Sequence, residues 1–242
     1  MKTVMINASP KKKMSVSAHF LTLQSFFIRG TVVKEHLRNK GDTHRLLEAV
    51  ADADAVVFCL PLYVDGIPSH VLLFMRELEK YSRENGLHFR VYVISNGGFI
   101  EGCQNKALMM TFENFCSRSG LVWGGGTGIG GGVMLNVMRI LFFVFIALSL
   151  IYFITGTELK YVAAYLARQM GMILFFHIGV IICSICMGSA INKGRSFGVK
   201  YTRAMMPSFL FILVADIFFI IISVFQGGIF RGWLSKKQPS DK

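Results

Sequence analysis

Charged residues are scarce in this sequence, and acidic residues are the scarcest of them. Only 17% of the 242 residues are charged, with 14 acidic and 26 basic side chains, whereas 53% are hydrophobic and 22 are phenylalanine. A single soluble domain rarely combines so few charges with so many apolar side chains. The composition argues against a wholly soluble chain and predicts that part of it lies in a membrane.

Cysteine is also infrequent. The five cysteines are an odd number, and Cys59, Cys103 and Cys116 fall in the N-terminal half. An odd number of cysteines does not suit a disulfide framework, so we expect reduced thiols. The first eight residues lack the apolar core of a signal peptide, which predicts that the N-terminal half stays in the cytosol.

The excess of basic residues is unevenly distributed. Residues 1–132 have 15 basic and 11 acidic side chains, whereas residues 133–242 have 11 and 3. Basic residues between apolar stretches are typical of loops that face anionic lipid or follow the positive-inside rule. Nucleic-acid binding would need basic residues clustered on a polar surface, so no nucleic-acid partner is expected.

The first 27 residues have the pattern of a strand, a turn and a helix. Val4-Met5-Ile6 is a short apolar run typical of a buried parallel strand, and turn formers follow it. Apolar residues then recur at helical spacing from Phe20 to Phe27, with Ser15 or Ser17 as the N-cap. The amides and dipole at such a helix start favour an anion, such as a ligand phosphate. An ordinary capped turn with solvated lysines is the alternative.

Further strands and helices alternate up to residue 132. The predicted strands are Thr31–Lys34, Ala55–Leu60, Phe89–Ser95 and Leu121–Trp123, and the predicted helices are Thr43–Ala51, one starting at Pro68, and Cys103–Ser119. Residues 124–132 are expected to form a glycine-rich loop. The alternation predicts an α/β fold with a doubly wound, five-stranded parallel sheet, in which ligands bind at the carboxyl ends of strands.

Three loops follow three of these strands and are expected to share one edge of the sheet. Their sequences are Asn7-Ala8-Ser9-Pro10-Lys11-Lys12, Pro61-Leu62-Tyr63-Val64-Asp65-Gly66-Ile67-Pro68 and Asn96-Gly97-Gly98-Phe99-Ile100-Glu101-Gly102. In order and spacing they resemble the phosphate loop, the Pro-x-Tyr flavin loop and the third, ring-bordering loop of the flavodoxin-like NAD(P)H-dependent FMN reductases. The resemblance covers residues 2 to about 133.

This resemblance implies an FMN cofactor and NAD(P)H as its electron donor. The residues that would hold the phosphate are Ser9, Lys11, Ser15 and Ser17. The residues that would surround the ring are Pro61, Tyr63, Asp65, Gly66, Asn96, Gly97 and Gly98. No catalytic acid or base and no metal are implied, because hydride passes directly between nicotinamide and flavin. Ordinary packing at a strand end is the alternative for Tyr63.

From residue 133 the sequence turns apolar, and residues 133–230 are predicted to be an all-α transmembrane region. Spans are expected at about 134–154, 172–191 and 205–225, each about 20 residues long and sufficient to cross a bilayer. The stretch 192–203 is interpreted as a basic loop, and residues 231–242 as a polar basic tail. The sheet then lacks its fifth covering helix. The first turns of a span or a second copy of the chain would have to supply that cover.

The distribution of basic residues orients these spans. With residues 1–132 in the cytosol, the basic loop lies inside and the amphipathic segment Thr157–Met170 lies on the far side. The basic tail fits this three-span arrangement poorly, so a reentrant first or third segment stays open. His177 and Asp216 fall within spans, where ionisable groups are costly. They either connect helices or line a pocket for a lipid-soluble acceptor such as a quinone.

Two functions follow from these patterns. The first is a membrane-anchored, multi-pass FMN oxidoreductase in the cell membrane, which passes electrons from NAD(P)H through flavin to an acceptor at or in the bilayer. The second is a membrane binding or regulatory protein whose flavodoxin-like domain no longer holds flavin. The phosphate loop keeps the second function open, because Met14-Ser15-Val16-Ser17 lacks the glycine that the family has there.

Overall fold

The computed structural model describes residues 1–12, 15–64 and 66–225. Residues 1–205 form one compact unit, and the described residues from 206 onward belong to a second unit that is treated by itself. The predicted tail, residues 231–242, lies outside the described residues. The division of the chain at residues 132 and 230 stays a prediction.

The described residues form six strands and seven α-helices, besides two short 3₁₀ helices at Lys40–Asp42 and Gly102–Asn105. The strands are β1 (Lys2–Asn7), β2 (Thr31–His36), β3 (Ala55–Pro61), β4 (Arg90–Asn96), β5 (Val122–Gly130) and β6 (Gly198–Arg203). The helices are α1 (Val16–Ser25), α2 (Thr43–Val50), α3 (Ser69–Asn85), α4 (Lys106–Ser119), α5 (Gly132–Ile154), α6 (Leu159–Asn192) and α7 (Ser208–Phe225). The predicted strand and helix positions up to residue 119 agree with these bounds to within a few residues.

All six strands are parallel and lie in the order β2-β1-β3-β4-β5-β6. The first five have the order of the flavodoxin-like doubly wound sheet. The predicted α/β class and parallel sheet are therefore confirmed. The predicted number of strands is wrong, because a sixth strand extends the sheet beyond β5.

This sixth strand lies in the segment interpreted as a basic loop. β6 pairs with β5 from Gly125 opposite Gly198 to Gly130 opposite Arg203. Its Lys200 and Tyr201 are exposed, as is common on an edge strand, where charged side chains discourage further pairing. A polar edge strand lacks the apolar run that identifies a buried strand, so the sequence pattern indicated a loop.

The glycine-rich segment is a strand rather than the expected loop. A Cβ on Gly124 would lie 2.6 Å from the ring of Tyr92, and one on Gly126 would lie 2.7 Å from the sulfur of Met109. Neighbouring side chains and backbone thus approach β5 more closely than any larger residue would allow. Glycine here serves close packing, although in the sequence it indicates a turn.

The two faces of the sheet are covered by different helices. On one face, strand residues such as Phe58 and Val93 pack against Leu46 of α2, Phe74 of α3 and Phe112 of α4. On the other face, Met5, Val57 and Tyr92 form a second core with a set of helix residues. That set comprises Phe20 and Leu21 of α1, Leu135 of α5, and Val180, Met187 and Ile191 of α6. The missing cover is therefore supplied mainly by the C-terminal part of α6.

Helices α5 and α6 form an antiparallel pair that leaves the sheet at its carboxyl edge. α5 starts at Gly132, immediately after β5, whereas α6 leads back to the amino end of β6, where the N–H of Phe197 donates to the oxygen of Gly124 (2.7 Å). The rings of Tyr152 and Tyr165 join the two helices, with centroids 5.6 Å apart. Residues 136–176, which we name the projecting hairpin, extend past the sheet. At 1.5 Å per residue, residues 136–154 span about 28 Å.

Two helices are long and apolar enough to cross a membrane, by length and composition: α5, with 23 residues, and α6, with 34. The described apolar stretch of α7, Ser208–Ile221, is shorter. Part of the predicted span 172–191 lies on the sheet, since Val180, Met187 and Ile191 are each 1% exposed. The projecting hairpin has many apolar side chains that the rest of this unit leaves uncovered, and the outer face of the sheet-bound part of α6 adds Ile182 and Ile185.

Candidate functional site

The three predicted loops meet at the carboxyl edge of the sheet. Backbone hydrogen bonds join the strand ends there: Ala8 N–H donates to Cys59 O (2.8 Å), Leu62 N–H to Asn96 O (2.9 Å) and Gly97 N–H to Ile129 O (2.9 Å). The loops after β1, β3 and β4 consequently surround one region. The first turn of α5 lies at the same edge, where Gly132 N–H donates to Gly97 O (3.0 Å).

The first loop is held by its own polar side chains. Ser15 is the N-cap of α1, as predicted, and its Oγ accepts from Ala18 N–H (3.0 Å). Ser9 Oγ accepts from Lys11 N–H (3.4 Å), while the Ser9 amide donates to Asn7 Oδ1 (3.1 Å). Lys11 is exposed. The start of α1 and the exposed Lys11 together give this end of the sheet a positive potential.

Ser17 has a structural role in addition to its predicted one. Its side chain is buried, and its Oγ accepts a hydrogen bond from Asn96 Nδ2 (3.2 Å). Asn96 Nδ2 also donates to Leu60 O (3.1 Å). Asn96 therefore connects α1, β3 and β4, three of the elements that form the edge. Beside Ser17, burial raises the pKa of the Cys59 thiol, which keeps that thiol protonated.

The second loop contains a tight turn with a strained residue. Tyr63 N–H donates to Gly66 O (3.1 Å), and Gly66 N–H donates to Tyr63 O (2.9 Å). Between them, Val64 has a φ of 47°, a left-handed conformation that a β-branched residue rarely adopts, and its side chain is fully exposed. Tyr63 is 44% exposed, so one part of its ring is free for contact. Asp65 lies outside the described residues, and Pro61 ends β3.

In the third loop, Gly97 is fixed by backbone hydrogen bonds, whereas Gly98 has empty space beside it. Both backbone polar groups of Gly97 are used, since its N–H donates to Ile129 and its oxygen accepts from Gly132. At Gly98, by contrast, a Cβ would meet no atom within 4 Å. The open space beside Gly98, the half-exposed ring of Tyr63 and the positive first loop suit a ligand with a flat ring and a phosphate.

Two contacts at this edge were not predicted from the sequence. Arg203, at the end of β6, donates from Nη1 to Glu101 Oε1 in the third loop (2.6 Å). His70 of α3 donates from Nε2 to Ala8 O in the first loop (3.1 Å), which fixes its proton on Nε2. These partners are 102 and 62 residues apart in the chain. No local pattern marks such pairs.

A second polar group lies where the projecting hairpin meets α1. His19 of α1 and His177 of α6 approach with 3.4 Å between their Nε2 atoms, and His177 Nδ1 donates to Ile173 O (2.9 Å). Because His177 uses its proton on Nδ1, its Nε2 accepts, so His19 Nε2–H is the donor. Burial, with smaller contributions from His177 and Arg139, lowers the pKa of His19 to about 4. His19 is therefore neutral at physiological pH.

A cavity of 280 Å³ lies beside this histidine pair. It is bounded by α1, α5 and α6, and its polar lining residues are His19, Arg139 and His177. The rest of the lining is leucine, isoleucine and phenylalanine, including the exposed Phe143 and Leu174. The cavity is thus an apolar cleft with one cation and a histidine pair in its wall.

The strand order gives the chain a flavodoxin-like α/β fold. No protein-family model and no curated protein sequence matches the chain.

Several solved structures are similar to it. The Trp repressor binding protein of Bacillus subtilis has 17% identity and a TM-score of 0.45, over 53% of this chain and 84% of that one. The NAD(P)H:quinone oxidoreductase of Methanothermobacter marburgensis has 16% identity and a TM-score of 0.45, over 57% and 92%. An NADPH-quinone reductase of P. pentosaceus has 14% identity and a TM-score of 0.46, over 70% and 95%.

Proposed function

We propose that this protein is a membrane-anchored FMN oxidoreductase that passes electrons from NAD(P)H through flavin to an acceptor at or in the membrane. The observation that carries the proposal is the meeting of three ligand-type loops at the carboxyl edge of a flavodoxin-ordered sheet. The projecting hairpin starts at the same edge. A cofactor held at this edge would therefore lie beside an apolar surface.

The residues at the edge suit FMN in distinct ways. Ser9, Lys11 and the first amides of α1 would hold the phosphate, with Ser15 and Ser17 shaping the start of the helix. Tyr63 would lie beside the ring, and the open backbone at Gly98 would approach its polar edge, with Gly66, Asn96 and Gly97 supporting these loops. FMN, when bound, would supply the hydride and electron chemistry, while the protein binds and orients.

Strain in the second loop supports a binding role for this edge. A non-glycine residue in a left-handed conformation costs about 1 to 3 kcal/mol and is found most often at ligand clamps and active sites. Val64 adopts that conformation at the tip of the Tyr63 turn. The strain is consistent with a loop whose shape is selected for binding rather than for stability.

We further propose that the projecting hairpin enters the bilayer and that residues 1–132 lie in the cytosol. Its length of about 28 Å is close to the bilayer hydrocarbon core of about 30 Å. Phe143, Phe153 and Leu174 are more than half exposed, so lipid would cover side chains that the protein leaves uncovered. The loop between α5 and α6, with Lys160 nearby, would then reach the far side.

Cysteine labelling tests this membrane arrangement. In sealed vesicles, a membrane-impermeant maleimide should label Lys160→Cys from the far side and Lys34→Cys, at an exposed position within β2, from the cytosolic side. The five native cysteines would be replaced by alanine or serine in both variants. Labelling of both positions from the cytosolic side would contradict the proposed insertion.

Flavin content tests the redox function. The full chain, purified in mild detergent, should show a flavin absorption spectrum that NAD(P)H bleaches. The double variant Ser9→Ala with Lys11→Ala should lose most of its flavin, because it removes two groups assigned to the phosphate. Lys80→Ala, which changes an exposed lysine on α3 away from the edge, is the control and should keep normal flavin occupancy.

The alternative function is a membrane binding or regulatory protein without flavin. The engaged side chains of Ser15 and Ser17 favour it, because their hydroxyls already have partners in the protein. Full-length protein that binds no flavin even after incubation with FMN, yet is folded, would favour this alternative.

A further inference from the structure

The cavity between α1, α5 and α6 is placed where a membrane molecule can enter it. It lies at the root of the projecting hairpin, and its lining residues Phe143 and Leu174 are 63% and 59% exposed. These two side chains would face lipid if the hairpin is inserted. An occupant would therefore arrive from the bilayer rather than from water, which selects for a lipid-soluble molecule.

The polar side of the cavity further restricts the kind of molecule that can bind there. Within residues 1–12, 15–64 and 66–205, no carboxylate forms an ion pair with Arg139, and the neighbouring histidines are joined to each other. A guanidinium that is partly buried in apolar surroundings gains most from an oxygen acceptor. The occupant should thus carry a hydrogen-bond-accepting oxygen on an otherwise apolar body.

The cavity is also close to the proposed flavin edge. His19 lies two residues after Ser17, which is about 3 Å along the axis of α1. Ser17 contacts Asn96 at the carboxyl edge, and Gly132, at the start of α5, contacts Gly97. Helices α1 and α5 both begin at the proposed flavin edge, and both contribute residues to the cavity wall.

We propose that this cavity is a separate binding site for the acceptor, and that the acceptor is a membrane quinone whose carbonyl oxygen accepts a hydrogen bond from Arg139. The proposal rests on the proposed function, because the quinone needs a source of electrons. The ring fits the apolar cleft, and an isoprenoid tail would leave between Phe143 and Leu174 into lipid. Arg139 is a binding residue here, and His19 and His177 form the neutral wall beside it.

The overall reaction is balanced. One NAD(P)H and one proton reduce one quinone to a quinol and leave NAD(P)⁺. The reduced flavin of the proposed function would supply the two electrons, and the proton that arrived with the hydride would return to water. Each of the quinone's two carbonyl oxygens takes one proton from water, so that one proton is consumed overall, and the quinol leaves into the bilayer. Arg139 stabilises the negative charge that develops on the oxygen before it is protonated.

Photolabelling of the full chain in detergent tests this site without depending on turnover. A short-chain azidoquinone should label peptides of α5 and α6 in the native protein. The variant Arg139→Leu should reduce labelling by about tenfold or more, since a hydrogen bond to a charged group is lost. Leu174→Trp, at an exposed lining position where folding is not at risk, should block the mouth and reduce labelling as well. Arg168→Leu, on an exposed part of α6 outside the cavity, is the control and should label normally.

The possible outcomes distinguish failure of the proposed quinone site from failure of the proposed function. Reduction of a soluble dye by NAD(P)H should persist in Arg139→Leu and Leu174→Trp while reduction of a membrane quinone falls. Equal labelling of native protein and both variants, or labelling confined to residues 61–68 and 96–102, would overturn the separate site. Loss of labelling on addition of anionic phospholipid, but not of unlabelled quinone, would make it a lipid site and overturn the proposal. Labelling of the cavity in a protein that holds no flavin would contradict the proposed function while supporting the site.

Discussion

Both parts of α6 are rich in apolar residues, but their surroundings differ. In the C-terminal part, Val180, Met187 and Ile191 pack on the sheet and are each 1% exposed. In the N-terminal part, which belongs to the projecting hairpin, Leu159 and Leu174 are more than half exposed. An apolar run thus shows that a segment must be buried, but not whether protein or lipid buries it. That distinction depends on which strands and helices lie next to it in the fold.

The largest difference between the two parts should come from truncating matched methionines. Met187→Ala removes a side chain that is 1% exposed in the sheet-side core and should lower the free energy of unfolding by about 2 to 5 kcal/mol. Met172→Ala changes a 39% exposed position in the hairpin and should cost less than about 0.5 kcal/mol. Chemical denaturation in detergent, followed by circular dichroism, gives both values. Equal losses would mean that the two parts are packed alike.

The pH dependence of stability should show whether the boundary between the two parts is closed. His19 is covered there by His177 of α6, and its folded pKa of about 4 lies below the usual 6.5. The unfolded chain therefore takes up a proton near pH 6.5 and the folded chain only near pH 4. Stability should fall by about 3 kcal/mol between these values and then level off.

The matched variant for this prediction is His19→Gln, which cannot titrate. Comparison of unfolding free energies of the two proteins from pH 7.5 to pH 4 isolates the contribution of His19. If both proteins lose stability in parallel over this range, His19 is solvated and the boundary is open.

The smallest expected difference comes from adding one methyl group at two glycines of α6. A Cβ on Gly188 would lie 2.6 Å from Cβ and 2.7 Å from O of Phe27, so Gly188→Ala should destabilise the fold by about 1 to 3 kcal/mol. A Cβ on Gly171, in the hairpin, would meet no atom within 4 Å. Gly171→Ala should therefore be neutral or stabilise the helix by up to about 1 kcal/mol. A loss of stability at Gly171 would reveal a neighbour on the hairpin surface.

Much of the sheet was predictable because its signals are local. β1, β3 and β4 are short apolar runs, and Ser15 lies at N-cap spacing before the apolar stripe of α1. Only the first residues of β5 were predicted as a strand, because the glycines that follow, which allow Tyr92 and Met109 to approach, have the pattern of a loop. β6 was missed because its residues are basic and its burial depends on β5, which precedes it by about 70 residues.

The candidate site was predictable only in outline. The positions of the three loops follow from the parallel strands, since strand ends of one direction share an edge. The hydrogen bond from Asn96 to Ser17 and the ion pair of Arg203 with Glu101 follow from the folded arrangement alone. The cavity beside His19 was equally inaccessible to sequence reasoning, because its lining comes from three separate helices.

The position of β6 after the hairpin makes the apolar segment an insertion within the sheet domain rather than an appendage at its end. The chain must leave the domain, complete two long helices and return before the last strand can pair. Sheet formation is therefore coupled to whatever environment the hairpin requires, and contacts between residues so distant in the chain form slowly. A protease cut or a stop codon in the hairpin would remove the cover of one sheet face together with the edge strand. The sheet domain and the apolar hairpin are consequently inseparable by simple truncation.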